Sequence, residues 1–344
     1  MGSDNEVFPW KISQIPVATS DECFLGFPTC TNSYTRLQTK KLLHLNGRHM
    51  KNLILFILLS VVKDTVGQKS YFITGAANVK LHVQEFGVGK PVVILAGGPG
   101  LNAVYLEPIW ENLSGKFRCI VLDQRGTGNS RLASIDATTV NMKLYVGDLE
   151  ALRTSLNLER LTIIGHSWGG MLSMEYAARF PQRVEKLILL GSGGPTSSFF
   201  AYFGDNIEMR LTAEDKREVA LLDSLKRHNL IGVWPGYFYD RERAMATKPT
   251  NDSLLFGQPG VSDYAIKDYV ATQKDRVRLL EKFRGDVDLI QGRQDPIGAS
   301  TVCEIRDLIP QTRIHFIEKC GHLPWLEKDA QVKQFFDLLH KSLL

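Results

Sequence analysis

The sequence predicts an α/β fold: a mainly parallel sheet, covered by helices on both faces, with a helical insertion late in the chain. Three observations carry this. From about residue 70, short apolar β-branched runs alternate with segments of helical spacing, the pattern of crossover-connected parallel strands. Glycine-rich turns stand directly after several of those runs, as in Gly97-Gly98-Pro99-Gly100 and Gly165-His166-Ser167-Trp168-Gly169. The alternation lapses between about Gly193 and Phe283, where charged and aromatic residues dominate, and then resumes.

In order, Tyr71–Thr74 and Val79–Phe86 read as opening strands, and Val92–Leu95 as a short buried strand. Tyr105–Leu113 reads as a helix, Cys119–Leu122 as a strand, and Thr139–Leu156 as a helix with Leu144, Leu149, Leu152 and Leu156 on one stripe. Leu161–Ile164 is a strand, Trp168–Arg179 a helix stopped near Pro181, and Leu187–Leu190 a strand. After the insertion come a strand at Val287–Ile290, a helix near Thr301–Leu308, a strand at Arg313–Ile317 and a closing helix from about Ala330 to Leu343.

Composition excludes several classes. The chain has 344 residues, 44% apolar and 23% charged, the values of an ordinary globular protein. The net charge of +4 is concentrated before residue 70, where eight Lys and Arg face five Asp and Glu. The remainder holds 33 against 32, which leaves no electrostatic footprint for nucleic acid. Cys23, Cys30, Cys119, Cys303 and Cys320 are odd in number and irregularly spaced, unlike a disulfide framework or a zinc site. Cys119 reads as a buried thiol, and Cys320 as a packing residue near His322.

Residues 1–49 show no steady period and form an extension of doubtful status. At Met50 the text changes: Lys51, an apolar run from Leu53 to Val62, then Thr65-Val66-Gly67. This is the layout of a secretory signal peptide over residues 50–69, and it is too short for a comfortable membrane span. With Met50 as initiator the mature chain begins near Gln68 and is exported to the periplasm or secreted; otherwise the protein is cytoplasmic.

The chemistry is concentrated in three loops. Ser167 lies in G-x-S-x-G, between the strand Leu161–Ile164 and a helix, the strand–turn–helix context that makes a serine an exposed nucleophile. A serine hydroxyl needs a base, and the base an orienting acid. His322 follows the strand Arg313–Ile317, and Asp295 follows Val287–Ile290, so both belong at the carboxyl edge of the sheet, where open α/β sheets place their sites. Asp286 precedes its strand, while Asp288 and His315 lie within strands, which makes them poorer candidates. The oxyanion donors are expected from the backbones of Trp168 and Gly98.

These residues resemble a known family. Gly97-Gly98-Pro99-Gly100, Asp123-Gln124-Arg125-Gly126-Thr127-Gly128-Asn129-Ser130 and the serine motif are similar to those of the proline iminopeptidases among the α/β-hydrolases. The resemblance implies an α/β-hydrolase fold: a mostly parallel eight-stranded sheet flanked by helices, formed by residues 70–194 and 284–344, with a helical cap at 195–283. It also implies no cofactor or metal, and release of N-terminal residues from small peptides. Cap carboxylates would then hold the substrate's amino group, and Glu208, Glu214 and Glu218 fall in that region. The family usually has His where this chain has Ala96, and Gly where it has His166. The expected function is thus a serine hydrolase for a small molecule or short peptide, an aminopeptidase first and a carboxylesterase second. Dehalogenases and epoxide hydrolases carry Asp at the nucleophile position. A non-catalytic binding protein of the same fold is the remaining class.

Overall fold

Eight strands form a single sheet in the order β1-β2-β4-β3-β5-β6-β7-β8. They are β1 (Lys69–Thr74), β2 (Lys80–Phe86), β3 (Lys90–Leu95), β4 (Phe117–Leu122), β5 (Leu161–His166), β6 (Val184–Leu190), β7 (Asp286–Gly292) and β8 (Arg313–Ile317). β1 pairs antiparallel with β2, and β2 with β4; every later pairing is parallel. The structure is a computed structural model, and it describes residues 68–225, 230–250 and 255–344. The leader read at residues 50–69 therefore lies, apart from its last two residues, outside the described residues.

The parallel strands are apolar throughout because helices cover both faces. Buried side chains form two clusters, one containing Val93, Leu95, Ile163, Leu187 and Leu289, the other Val92, Ile94, Ile164, Ile188 and Ile290. These are alternate residues of the same strands, which the period of two sends to opposite faces. Among the described residues, the α-helices outside the insertion are α1 (Glu107–Leu113), α2 (Met142–Ser155), α3 (Trp168–Arg179), α10 (Ala299–Leu308) and α11 (Asp329–Leu343). The helix expected from Tyr105 starts as a short 3-10 turn at Val104–Leu106, and α1 follows with Pro108 in its first turn, where a missing N–H costs nothing. The helix expected from Thr139 starts at Met142 instead, because Asn141 caps it by accepting from Leu144 N at 3.0 Å.

Between β6 and β7 the described residues form α4 (Phe200–Glu208), α5 (Ala213–Ser224), α6 (Leu230–Val233), α7 (Arg241–Thr247), α8 (Val261–Ala271) and α9 (Gln273–Leu280). Val261, Ala265, Tyr269 and Leu280 of α8 and α9 belong to the first core cluster. Arg276 of α9 bonds Glu175 of α3 at 2.6 Å, with both side chains buried. No helix among the described residues is long and apolar enough to cross a membrane.

Helix α5 opens on a capping box, in which Thr212 Oγ1 accepts from Asp215 N while Asp215 Oδ2 accepts from Thr212 N at 2.8 Å. The same carboxylate takes both Arg241 amino groups, at 2.7 and 2.9 Å. The Arg241 hydrogen bonds hold the Asp215 pKa down, from 3.8 to about 2. A depressed carboxylate contributes stability that is complete above its ordinary value and is lost as pH falls through the folded one. Asp215→Asn is therefore expected to lower the melting temperature by about 1–3 °C near neutral pH and to remove that part of the acid sensitivity between pH 4 and 2. Thermal melts across that range check it; parallel curves for the two proteins would refute it.

Candidate active site

The loops after β3, β5, β7 and β8 meet at the carboxyl edge of the sheet. Ser167 occupies the turn between β5 and α3 with φ 53° and ψ −114°, a strained conformation for a residue with a side chain. The turn closes only because Gly165 and Gly169 lack side chains: a Cβ would lie 2.4 Å from the Gly169 carbonyl oxygen in the first case and 2.3 Å from the Leu95 carbonyl oxygen in the second. The N-terminus of α3 begins at Trp168, so its first amides and its dipole address the space in front of the serine.

The structure brings Asp295 and His322 together. His322 Nδ1 lies 2.8 Å from Asp295 Oδ2, and both residues are buried. A carboxylate only accepts, so Nδ1 carries the proton and Nε2 keeps its lone pair, the tautomer a general base requires. The other carboxylate oxygen accepts from Ile297 N at 2.8 Å, which fixes its plane. Ser167, His322, Gly98 and Trp168 all line one cavity of about 110 Å³. No hydrogen bond of the described residues involves the Ser167 hydroxyl, and a serine–imidazole contact commonly tightens only with substrate bound.

The rival residues form a group of their own. Asp288 accepts from Arg313 at 2.9 and 2.8 Å and lies 3.0 Å from His315 Nε2, inside the paired strands β7 and β8. Asp286 sits at the opposite end of β7, 3.6 Å from Arg313. A second Ser–His–Asp string exists on the outer strands: Ser70 Oγ is 2.8 Å from His82 Nε2, and His82 Nδ1 is 2.8 Å from Asp123 Oδ2. Ser70 lies inside the extended strand β1 rather than on a strand–helix turn, so no row of helix amides addresses it. This string ties β1 and β2 to the loop after β4.

Several residues that hold the site were not identified from the sequence. Gln124 receives Trp168 Nε1 at 3.0 Å and donates to the Ala96 carbonyl at 2.8 Å, joining the nucleophile turn to the loop after β3. Gln294 accepts from Cys320 N at 3.0 Å, joining the acid loop to the base loop. Glu327, buried, accepts from Gly321 N and Tyr239 N, each at 2.8 Å, while His322 N donates to the Tyr237 carbonyl at 2.7 Å. Burial raises the Glu327 pKa above its ordinary value. Apart from Gly321 and Glu327, six residues apart, these contacts join positions remote in the chain and so have no local motif.

The Cys320 thiol is buried and shifted upward by that burial, which leaves it a packing group. The candidate cap carboxylates lie away from the cavity lining: Glu208 and Glu214 are exposed, and Glu218 takes Lys248 Nζ at 2.6 Å. Among the described residues, no group of three or more His, Cys, Asp or Glu could hold a metal ion.

The sequence profile described as alpha/beta hydrolase fold matches residues 90–329. The cis-3-alkyl-4-alkyloxetan-2-one decarboxylase of Shewanella oneidensis is 38% identical over 126 residues, which is 36% of this chain and only 39% of that protein. A proline iminopeptidase of Heyndrickxia coagulans is 26% identical over 262 residues, covering 72% of this chain and 89% of the relative. Among solved structures, a proline iminopeptidase-related protein of Thermus thermophilus shares the fold, with a TM-score of 0.63 at 22% identity over 80% of this chain and 98% of that one. With the profile spanning most of the chain, the sheet order of the fold and a serine on the nucleophile turn, the chain belongs to the α/β-hydrolase fold family and is a serine hydrolase.

Proposed function

We propose that the chain hydrolyses carboxylic esters of small uncharged substrates by acyl transfer, with Ser167 as nucleophile, His322 as general base and Asp295 as its orienting acid. Ser167 Oγ attacks the ester carbonyl and passes its proton to His322 Nε2. The oxyanion of the tetrahedral adduct lies against the backbone N–H groups of Gly98 and Trp168. The adduct collapses with loss of the alcohol, which leaves with the proton held by His322. Water, deprotonated by the same imidazole, then attacks the acyl-enzyme and regenerates Ser167. The segment 195–283 acts as the cap.

The observation that carries this reading is the cavity wall. Around Ser167 and His322 it consists of apolar and aromatic side chains, among them Phe199, Phe200, Phe203, Trp234, Ile266 and Ile297. No carboxylate of the described residues lines it to hold an ammonium group. An unpaired charge transferred into such a wall costs far more than an acyl chain gains.

Release of N-terminal proline or other residues from small peptides is the second reading, favoured by the proline iminopeptidase relatives. Turnover of nitrophenyl esters of short acids against proline-naphthylamide tests the two. The expected result is kcat/KM at least about 100-fold higher for an ester, the discrimination a site gains when the rejected substrate would bury an unpaired polar group. Faster turnover of the prolyl substrate would replace the esterase reading by the peptidase one.

A further inference from the structure

Where the loops after β3, β5 and β8 meet lies a buried imidazole that the reaction above does not use. We propose that Tyr105 and His166 are positioning residues: one directed hydrogen-bond chain, from Gly97 N–H through the Tyr105 hydroxyl and the His166 ring to the His322 carbonyl, locks the oxyanion loop and the base loop in register across the nucleophile. The proposal rests on the acyl-transfer reading.

The direction of the chain follows from what each atom can do. The His322 carbonyl oxygen, 3.1 Å from His166 Nε2, only accepts, so Nε2 carries the proton and Nδ1 the lone pair. Tyr105 Oη, 2.8 Å from Nδ1, must therefore donate to it. The same oxygen lies 2.6 Å from Gly97 N, which only donates, so Tyr105 accepts there. Every donor faces an acceptor. Burial, and then the neighbouring His322, hold the His166 pKa well below its ordinary 6.5. Burial thus favours the neutral ring that the chain requires; a second proton, on Nδ1, would remove the acceptor to which Tyr105 donates.

The chain has no slack. A Cβ on Gly97 would lie 2.9 Å from Tyr105 Oη, 3.1 Å from His166 Nδ1 and 3.1 Å from Ser167 Cβ. The His166 ring packs on His322 at 4.5 Å between centroids and edge-on to Trp325 at 4.9 Å. Trp325 Nε1 donates back to the Tyr105 carbonyl at 3.2 Å. The connected residues are neighbours of the reacting groups or the groups themselves: Gly97 precedes the oxyanion donor Gly98, His166 precedes Ser167, and His322 is the base. A displacement at the ring passes to all three, and misplacement of about 1 Å costs about 100-fold in rate.

The test compares Tyr105→Phe, His166→Phe and the double variant with wild type, using a nitrophenyl ester, phenylboronic acid as a tetrahedral adduct of the serine, and thermal melts. Tyr105→Phe is expected to lower kcat about 10- to 100-fold, to leave KM within about twofold, and to raise the boronic acid Ki by the factor lost in kcat. The double variant is expected to fall no lower than the worse single one, because the two residues act as a unit. An undiminished kcat in Tyr105→Phe, or losses that multiply in the double variant, would overturn the proposal. Should Tyr105→Phe melt far below wild type, His166→Gln decides: it keeps one acceptor and one donor, and must retain at least about tenfold more kcat than His166→Phe. Ester turnover that survives Ser167→Ala would overturn the functional reading itself, whereas a dead Ser167→Ala beside an intact Tyr105→Phe sinks the relay alone.

Discussion

Ser167→Ala is expected to lower kcat for a nitrophenyl ester by roughly 10⁴- to 10⁶-fold and to abolish labelling by a fluorophosphonate, with the melting temperature unchanged or raised. The magnitude is that of removing a nucleophile that works as one unit with its base and acid. The stability expectation follows from the turn: φ 53° is strained for serine, and alanine is no worse there while carrying no hydroxyl to desolvate. Intact-mass analysis after labelling reads the outcome directly. Ser70 supplies the internal control, since its hydroxyl stands 2.8 Å from an imidazole backed by a carboxylate. A fluorophosphonate adduct that persists in Ser167→Ala and maps to Ser70 would show the outer string to be reactive. An adduct that persists with ester turnover undiminished would end the assignment of Ser167.

How much of this was legible in the sequence depends on the range of the interaction. The strands declared themselves because apolar runs such as Val92–Leu95 and Leu187–Leu190 lead into glycine-rich turns, and each falls within an observed strand. Their ends did not: β6 extends back to Val184 because pairing with β5, not local pattern, sets where it begins. Ser167, His322 and Asp295 could be named because each follows a strand and so emerges at one edge of a parallel sheet. Tyr105, Gln124 and Glu327 carry no such mark. Tyr105 reads as the start of a helix, and its phenol finds His166 only once the loops after β3 and β5 are folded against each other. The insertion was legible as a mostly helical interruption, but the bounds of its separate helices were not. Its α8 and α9 owe their place to packing on the core, through Tyr269 and the Arg276–Glu175 pair.

Asp295→Asn is expected to lower kcat by roughly 10⁴-fold with KM within about twofold, and the cause is a tautomer rather than a lost contact. The carboxylate now accepts twice: from His322 Nδ1 at one oxygen and from Ile297 N at the other, both at 2.8 Å. An amide has one oxygen and one NH₂, so either orientation sets a donor against a donor. With the oxygen kept on Ile297 N, the NH₂ faces the imidazole, which must turn its lone pair to Nδ1 and place its proton on Nε2, where the serine needs a base. With the amide flipped, the NH₂ opposes the Ile297 amide, and the Asp295–Ile297 turn that aims the side chain is disturbed. Both arrangements also remove the negative charge that stabilises the imidazolium formed in the transition state. Asp288→Asn provides the comparison, because it cuts into the Arg313–His315 pairing of β7 and β8 away from the cavity. It is expected to lower the melting temperature while kcat stays within about threefold, the usual outcome for a structural pair remote from the chemistry. Steady-state kinetics and melts on the two variants separate the acids. If Asp295→Asn kept more than a tenth of wild-type kcat while Asp288→Asn lost it, the orienting acid would have to be sought in the strand rather than in the loop beyond it.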